Sequence, residues 1–291
     1  MRRTLLAIAA LSTAQPVLGA DPIVLKPSTQ WTVDFAPDNC RLVRVFGEGE
    51  NQHYLAFKQY WPGEATGVTI AGPSLKRFRS LDRTALRFFE TQTPLETKPF
   101  KGAVDDFGDA VIYSAIIIDK GERESSQSDE QGKSGWPQLD TQLGKQARFI
   151  EVRQGGRTVR LDTGPLDAAF EVMNQCTMDL LREWGLDPER HRTAQSIARW
   201  TNAEAIVRRI QSDYPDDALL RGEQGIMRMR LIVSAEGTVE SCTILKATET
   251  KELDSPACRS MKNAQFEPAR DAAGMPFRSL YATSIVYKIR S

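Results

Sequence analysis

Asp162-Thr163-Gly164 has the form that presents a carboxylate for activating water. That chemistry needs a second carboxylate sharing one proton with the first. Like charges about 3 Å apart do not both ionise, so such a pair titrates in two separated steps. The chain holds no second Asp-Thr-Gly and no Asp-Ser-Gly. A second copy of the chain would have to supply the partner. The enzymatic alternative is therefore a homodimeric aspartic peptidase using Asp162. The residues that follow the triplet argue against it. Gly164 reads as a helix N-cap, Pro165 suits the first helical position, and Asp167 favours the positive end of the helix dipole. A loop that aims Asp162 at a partner does not easily double as the first turn of a core helix. The expectation is a strand end followed by a helix, with no catalytic residue.

Other reactive constellations are sparse. The chain has two histidines, His53 and His191, far apart in sequence, and no cysteine pair at zinc-ligand spacing. Phe46 to Glu50, "FGEGE", carries two acids that would repel phosphate, so it reads as a turn. Asp105, Asp106 and Asp109 lack the Gly and Glu placement of a calcium loop. No metal and no cofactor is expected. Lys+Arg and Asp+Glu are equal at 38 each, so no basic field draws the chain to nucleic acid.

The N-terminus reads "MRRTLLAIAALSTAQPVLGADP". A short basic region, the apolar run Leu5 to Leu11 and small residues ending at Ala20 form the layout of a cleaved secretory signal over residues 1–20. The apolar run is too short to remain as an anchor, and nothing later approaches the roughly 20 apolar residues of a membrane helix. The expected mature chain is periplasmic, without an integral span. Export to an oxidising compartment makes an even cysteine count a disulfide framework. Three pairings of Cys40, Cys176, Cys242 and Cys258 are open. Cys242 and Cys258 are close in sequence and fall within one small predicted domain. Pairing them leaves Cys40 with Cys176.

Residues 21–185 read as a β-rich domain. "WTVDF", "CRLVRVFG", "HYLAFKQYW", "GVTIAG", "ALRFFE" and "AVIYSAIIID" are short runs rich in β-branched and aromatic residues. Residues 119–145 are polar and predict a long surface loop. Gly155-Gly156 between two apolar runs predicts a hairpin. The helix after it places Leu166, Phe170, Met173, Thr177, Leu180, Leu181 and Trp184 on one face and stops at Gly185. Residues 186–200 read as a linker. Thr201-Asn202-Ala203-Glu204 predicts a capping box opening a second helix, which Tyr214-Pro215 ends.

Residues 201–291 predict a small domain of order ββαβ. "GIMRMRLIV" alternates, with Met227, Met229, Leu231 and Val233 on one face and Arg228 and Arg230 on the other. Ser234 to Gly237 is a tight turn in which Gly237 takes positive φ. Val239 to Leu245 returns, and Ser255-Pro256 opens a short helix. The last strand places Phe277, Tyr281, Ile285, Tyr287 and Ile289 on one face. The fold class is α+β: a β-rich N-terminal domain ending in a long helix, then a small ββαβ domain.

From about Tyr214 to Ile289 the sequence resembles the C-terminal domain of the TonB energy-transducer family. The residues that carry this are "YPDDALLRGEQGIMRMRLIVSAEGTVESCTIL", Leu253-Asp254, and "FEPARDAAGMP" from Phe266 to Pro276. Six landmarks occur in order over about a quarter of the chain. The cysteines match a variant with one Cys on the second strand and one on the helix. The resemblance implies a non-enzymatic docking module that meets outer-membrane receptors or other envelope proteins through its last strand. Strand addition would use Ser279, Tyr281, Thr283, Ile285 and Tyr287, with self-association as a homodimer through the same edge. Two departures weigh against motor coupling. The apolar N-terminal segment has the form of a cleavable signal, and the prolines are scattered rather than gathered in a periplasm-crossing stretch. Ala247-Thr248-Glu249 also replaces the Ser-Ser-Gly often found after the second strand. A membrane-anchored transducer is the other alternative.

Overall fold

The computed structural model describes residues 21–79, 82–119, 135–212, 225–246 and 254–287. The expected leader, Tyr214-Pro215, Ala247-Thr248-Glu249 and Leu253 lie outside the described residues. Within them the chain is a mixed α+β protein, rich in strands and with few helices. Among the described residues no helix is long and apolar enough to cross a membrane.

In chain order the strands of the first part are β1 (Ile23–Leu25), β2 (Thr32–Ala36), β3 (Asn39–Phe46), β4 (His53–Gln59), β5 (Ala65–Ala71), β6 (Thr84–Arg87), β7 (Leu95–Thr97), β8 (Phe100–Val104) and β9 (Gly108–Ile117). Then come α1 (Thr141–Gln146), β10 (Ile150–Gln154), β11 (Arg157–Leu161) and α2 (Asp167–Glu183). Six strands form an antiparallel sheet, β2-β3-β4-β5-β9-β8, and five form a second, β1-β11-β10-β6-β7. Alternation dictates which side chains turn inward. Leu42, Leu55, Phe57, Val68 and Ile70 from the first sheet join Leu86, Ile150, Val152 and Val159 from the second in one apolar core.

Helix α2 closes that core. Phe170, Met173, Cys176, Thr177 and Leu180 are buried along it, at the helical spacing that the sequence predicts. Phe170 meets the Phe57 ring edge-on at 5.8 Å. Cys176 is bonded to Cys40 on β3, with Cα atoms 6.2 Å apart. The helix starts later than its sequence signals imply, at Asp167, and Leu166 at the cap position makes no side-chain cap bond. Backbone from elsewhere compensates: the Leu166 N–H donates to Gly144 O of α1, and the Gly164 N–H to Arg148 O. Helix α1 itself overlaps the end of the stretch expected to be loop. Asp140 caps it, its carboxylate accepting the Gln142 and Leu143 N–H groups.

The second part contains α3 (Pro188–Arg192), β12 (Arg199–Trp200), α4 (Ala203–Ser212), β13 (Gly225–Val233), β14 (Val239–Lys246), α5 (Asp254–Met261), β15 (Phe266–Glu267) and β16 (Ser279–Tyr287). Strands β14, β13 and β16 form an antiparallel sheet in that order, and β12 pairs with β15. The stretch expected as a connector thus holds a helix and a strand. The capping box does not form. The Thr201 hydroxyl donates to Gln265 O, and Glu204 pairs with Arg208 along the helix. Asn202 works instead as a tertiary clip, accepting from Trp200 Nε1 and from the Gln265 N–H.

Cys242 on β14 and Cys258 on α5 are bonded, with Cα atoms 5.7 Å apart. Gly237 adopts φ +83 in the β13–β14 turn, and a Cβ there would lie 2.0 Å from the Phe266 carbonyl oxygen. The residue therefore serves the turn and a close backbone crossing together. Gly237→Ala is expected to lower stability by about 2 kcal/mol or more, from left-handed strain plus displacement of β15. Urea unfolding of the full chain measures this; a loss under about 0.5 kcal/mol would contradict the crossing.

Candidate protein-docking edge

The β14-β13-β16 sheet is covered on both faces. On the first, Met229, Leu231 and Val233 pack with Ile206 and Ile210 of α4 and with Ala257 and Met261 of α5. Phe266 fills the middle of this layer. Its ring lies 4.7 Å from Tyr281 and is stacked 6.2 Å from Trp200. The second face carries Arg228 and Arg230, which alternation turns away from Met229. It packs against the first part of the chain. The Arg228 guanidinium sits 4.6 Å over Tyr60 and 5.9 Å over Trp61, and its Nη2 donates to Ser114 O at 2.6 Å. Arg230 lies 4.1 Å over Trp184. Ile232 and Leu280 join Met178, Leu181 and Leu186 in a small apolar seam bordered by Trp61, Trp136 and Trp184. Burial lowers the pKa of both arginines below the usual guanidinium value. Aromatic faces carry negative charge density and hold these cations where water is displaced.

With both faces occupied, the edges remain. Among the described residues β16 pairs with β13 alone, in an unbroken register from Ser279↔Val233 to Tyr287↔Gly225. The backbone groups of an antiparallel strand alternate in direction. The Leu280 N–H points away from β13 and donates to His191 Nε2 at 3.2 Å. The outward groups are therefore those of Leu280, Ala282, Ser284 and Val286. Ser279, Tyr281, Thr283, Ile285 and Tyr287 direct theirs inward to β13. Ser279 is also fully buried, while Tyr281 packs on the first-face core and Thr283 is half-buried. Ser284 is exposed. The side chains of Ile285 and Tyr287 lie outside the described residues.

Helix α3 anchors the start of β16. Asp187 caps it, accepting from the Glu189 and Arg190 N–H groups. Arg190 pairs with Asp271 at 2.7 Å, and Asp271 Oδ1 accepts the Ala273 and Met275 N–H groups of the turn before β16. That arginine, with the turn amides, holds the Asp271 carboxyl below its usual pKa. His191 is fully buried, its ring 4.6 Å from Trp136 and 5.1 Å, edge-on, from Phe277. Its Nδ1 bonds Asp187 O at 2.6 Å. One nitrogen thus faces a carbonyl and the other faces an N–H. This fixes a neutral ring with the proton on Nδ1.

Asp162 stands apart from this edge. It directly follows β11, and its N–H donates to Leu25 O of β1, continuing the parallel ladder. Gly164 takes φ +67. Thr163 is buried, its carbonyl accepting from Arg44 Nη1 and its hydroxyl bonding Gly164 O. A surface cavity of about 490 Å³ between α1 and α2 is lined by Asp167 and Glu171 but not by Asp162. Among the described residues no cluster of three or more His, Cys, Asp or Glu is placed to hold a metal. His53 is fully buried, bonding Asn51 O and accepting the Ser74 N–H. The sequence offered no signal for His191 at the strand edge. Its position depends on how α3 folds back on β16.

Desolvation holds the His191 pKa down to about 4, opposed more weakly by the bond to Asp187 O. An unfolded imidazole titrates near 6.5. Protons therefore favour the unfolded chain between these values. The contribution is complete above about pH 6.5 and declines as pH falls toward 4. By pH 5 the loss amounts to about 2 kcal/mol. His53, also lowered by burial, acts in the same direction. Replacing His191 with Phe keeps a ring between Trp136 and Phe277. In His191→Phe the stability difference between pH 7.5 and pH 5 is expected to shrink by about 2 kcal/mol. Denaturant titrations at the two pH values test this; an undiminished difference would place the titration elsewhere.

Compared with known proteins, the chain matches no curated protein. Residues 210–289 match the family model of the Gram-negative bacterial TonB protein C-terminal. This segment supplies β13, β14, α5, β15 and β16, and the family it matches is the one that the landmarks in the sequence resemble.

Proposed function

We propose that this is an exported periplasmic protein whose TonB C-terminal domain docks an extended segment of another envelope protein by strand addition at β16. TonB C-terminal domains are non-enzymatic interaction modules of the Gram-negative envelope, and their partners include outer-membrane receptors. The observation that carries the reading is the placement of β16 at the end of the β14-β13-β16 sheet, with outward backbone groups at Ala282, Ser284 and Val286. Outward rungs that no other described strand pairs offer an incoming peptide a row of donors and acceptors, and alternate side chains choose among partners. The layout that accompanies this reading is a cleaved leader over 1–20, a β-rich domain over 21–185, a connector over 186–200 and the docking domain over 201–291. No coupling to an inner-membrane motor is included, because the apolar leader has the form of a removable signal. The leader also separates this reading from an anchored transducer. Mass spectrometry of the exported chain is expected to begin at Asp21; a retained Met1 end would favour the transducer.

Two variants test the docking itself. A photoreactive residue at Ser284 in intact cells is expected to crosslink an extended segment of an envelope protein, identified by peptide mapping. Adducts only between copies of the chain would favour a dimerisation edge. Ala282→Pro removes one outward N–H while sparing the ladder to β13. It is expected to leave the far-ultraviolet spectrum unchanged and to reduce that crosslink at least tenfold, on the order of 1.4 kcal/mol. Undiminished crosslinking would mean that contact is not made through this backbone. Asp162→Asn is expected to change neither outcome, and loss of a measured peptidase activity in it would revive the enzymatic alternative.

A further inference from the structure

Resting on the strand-addition reading, the geometry points to His191 as the stop that sets where an added strand begins: it occupies the first outward rung of β16, at Leu280, and confines pairing to Ala282 and beyond. His191 comes from α3, outside the segment that matches the TonB C-terminal family. Its place is fixed four ways. Asp187 caps the short helix that carries it, with Pro188 at its first turn. Asp187 O takes the Nδ1 proton, which leaves Nε2 as an acceptor. Trp136 and Phe277 hold the ring between them. The Trp136 N–H bonds His191 O, so the loop before α1 is tied to the same point. The Leu280 N–H then donates to Nε2.

Natural sheets blunt open edges to prevent indiscriminate pairing. Here one rung is closed by an imidazole, and Leu280 itself is buried in the seam between the two parts. An incoming strand therefore meets a wall at Leu280, and its first bonds form at Ala282. Because side chains alternate, fixing the first rung also fixes which partner side chains fall on each face of the sheet. His191 is in this sense a positioning residue: by holding the Leu280 N–H it closes that rung and sets where the added strand begins.

The test uses the isotope-labelled full chain and a defined probe, a synthetic nonapeptide copied from β13, Gly225–Val233, the strand β16 already accepts on its other side. In the free wild-type protein a scalar coupling across the hydrogen bond from the Leu280 amide to His191 Nε2 is expected, with Nε2 unprotonated. A protonated Nε2 near pH 7 would overturn the assignment without any variant. The Leu280 amide is expected to exchange at least tenfold faster in His191→Phe than in wild type, with the rest of the β13–β16 ladder unchanged. Equal rates at Leu280 would overturn it. With the probe in excess, wild type is expected to gain protection at Ala282, Ser284 and Val286, leaving Leu280 as it was. His191→Phe is expected to gain protection at Leu280 as well. Pairing of the probe with Leu280 in wild type would defeat the stop while sparing strand addition. Absence of new protection on β16 in both proteins would defeat strand addition, and the stop with it, whatever the coupling shows.

Discussion

Helix α2 is buried along two stretches that belong to different neighbours. Its first turns fill the core between the two large sheets, and Cys176 bonds it to Cys40 on β3. Its last turns deliver Met178 and Leu181 to the seam that also holds Ile232 and Leu280. A single rigid rod thereby sets the distance between the first part of the chain and the β14-β13-β16 sheet. The bond closes a loop across a sequence separation of 136, a constraint that reduces the freedom of the unfolded chain most when loops are long. Trp184, at the C-terminal end of α2, lies beneath Arg230, and Gly185 just beyond it accepts from Arg278 at the start of β16.

The seam has an unusual composition for a buried contact. It joins two guanidinium groups to Tyr60, Trp61 and Trp184 with a backbone carbonyl, Ser114 O, as the hydrogen-bond acceptor. Cations partly stripped of water are costly, and aromatic faces recover only part of that cost. In return the arrangement is directional, because a planar guanidinium stacks on a ring in few orientations. That directionality suits a contact whose role is to hold a sheet at a fixed angle. It also explains why β13 alternates Met and Arg: one face meets the small core of α4 and α5, and the other meets aromatic rings.

The start of β16 is built by residues far apart in sequence. Arg190 reaches Asp271 in the preceding turn, His191 reaches Leu280, and Arg278 pairs with Glu240 while donating to Gly185 O. These contacts join α3, the end of α2, β14 and the turn into one fixture. The strand leaves the fixture bonded on several sides, and its outward rungs begin from a defined point.

Much of the architecture follows from local pattern. Alternation in "CRLVRVF", "HYLAFKQ" and "GIMRMRLIV" places the long strands, helical spacing places α2, and Gly237 places the β13–β14 turn, because these depend on neighbours within a few residues. The short strands β1, β7, β8, β12 and β15 and the helix α1 were not legible. At two to six residues their conformation is set by what they pair with. Thr201 and Glu204 had the form of a capping box, yet Thr201 bonds Gln265 O just before β15 and Glu204 pairs with Arg208 within α4. Asp162 could be read as a joint from Pro165 and the helix after it. Its exact bonds, to β1, required a strand more than a hundred residues earlier. The choice of edge residues shows the limit most clearly. Sequence alone sets which residues of β16 share a face, since that is a period of two. It does not set which of the two alternating sets turns its backbone outward, because that depends on where β13 lies. Nor does it place His191 against Leu280, a contact that exists only after α2 and α3 have brought separate parts of the chain together.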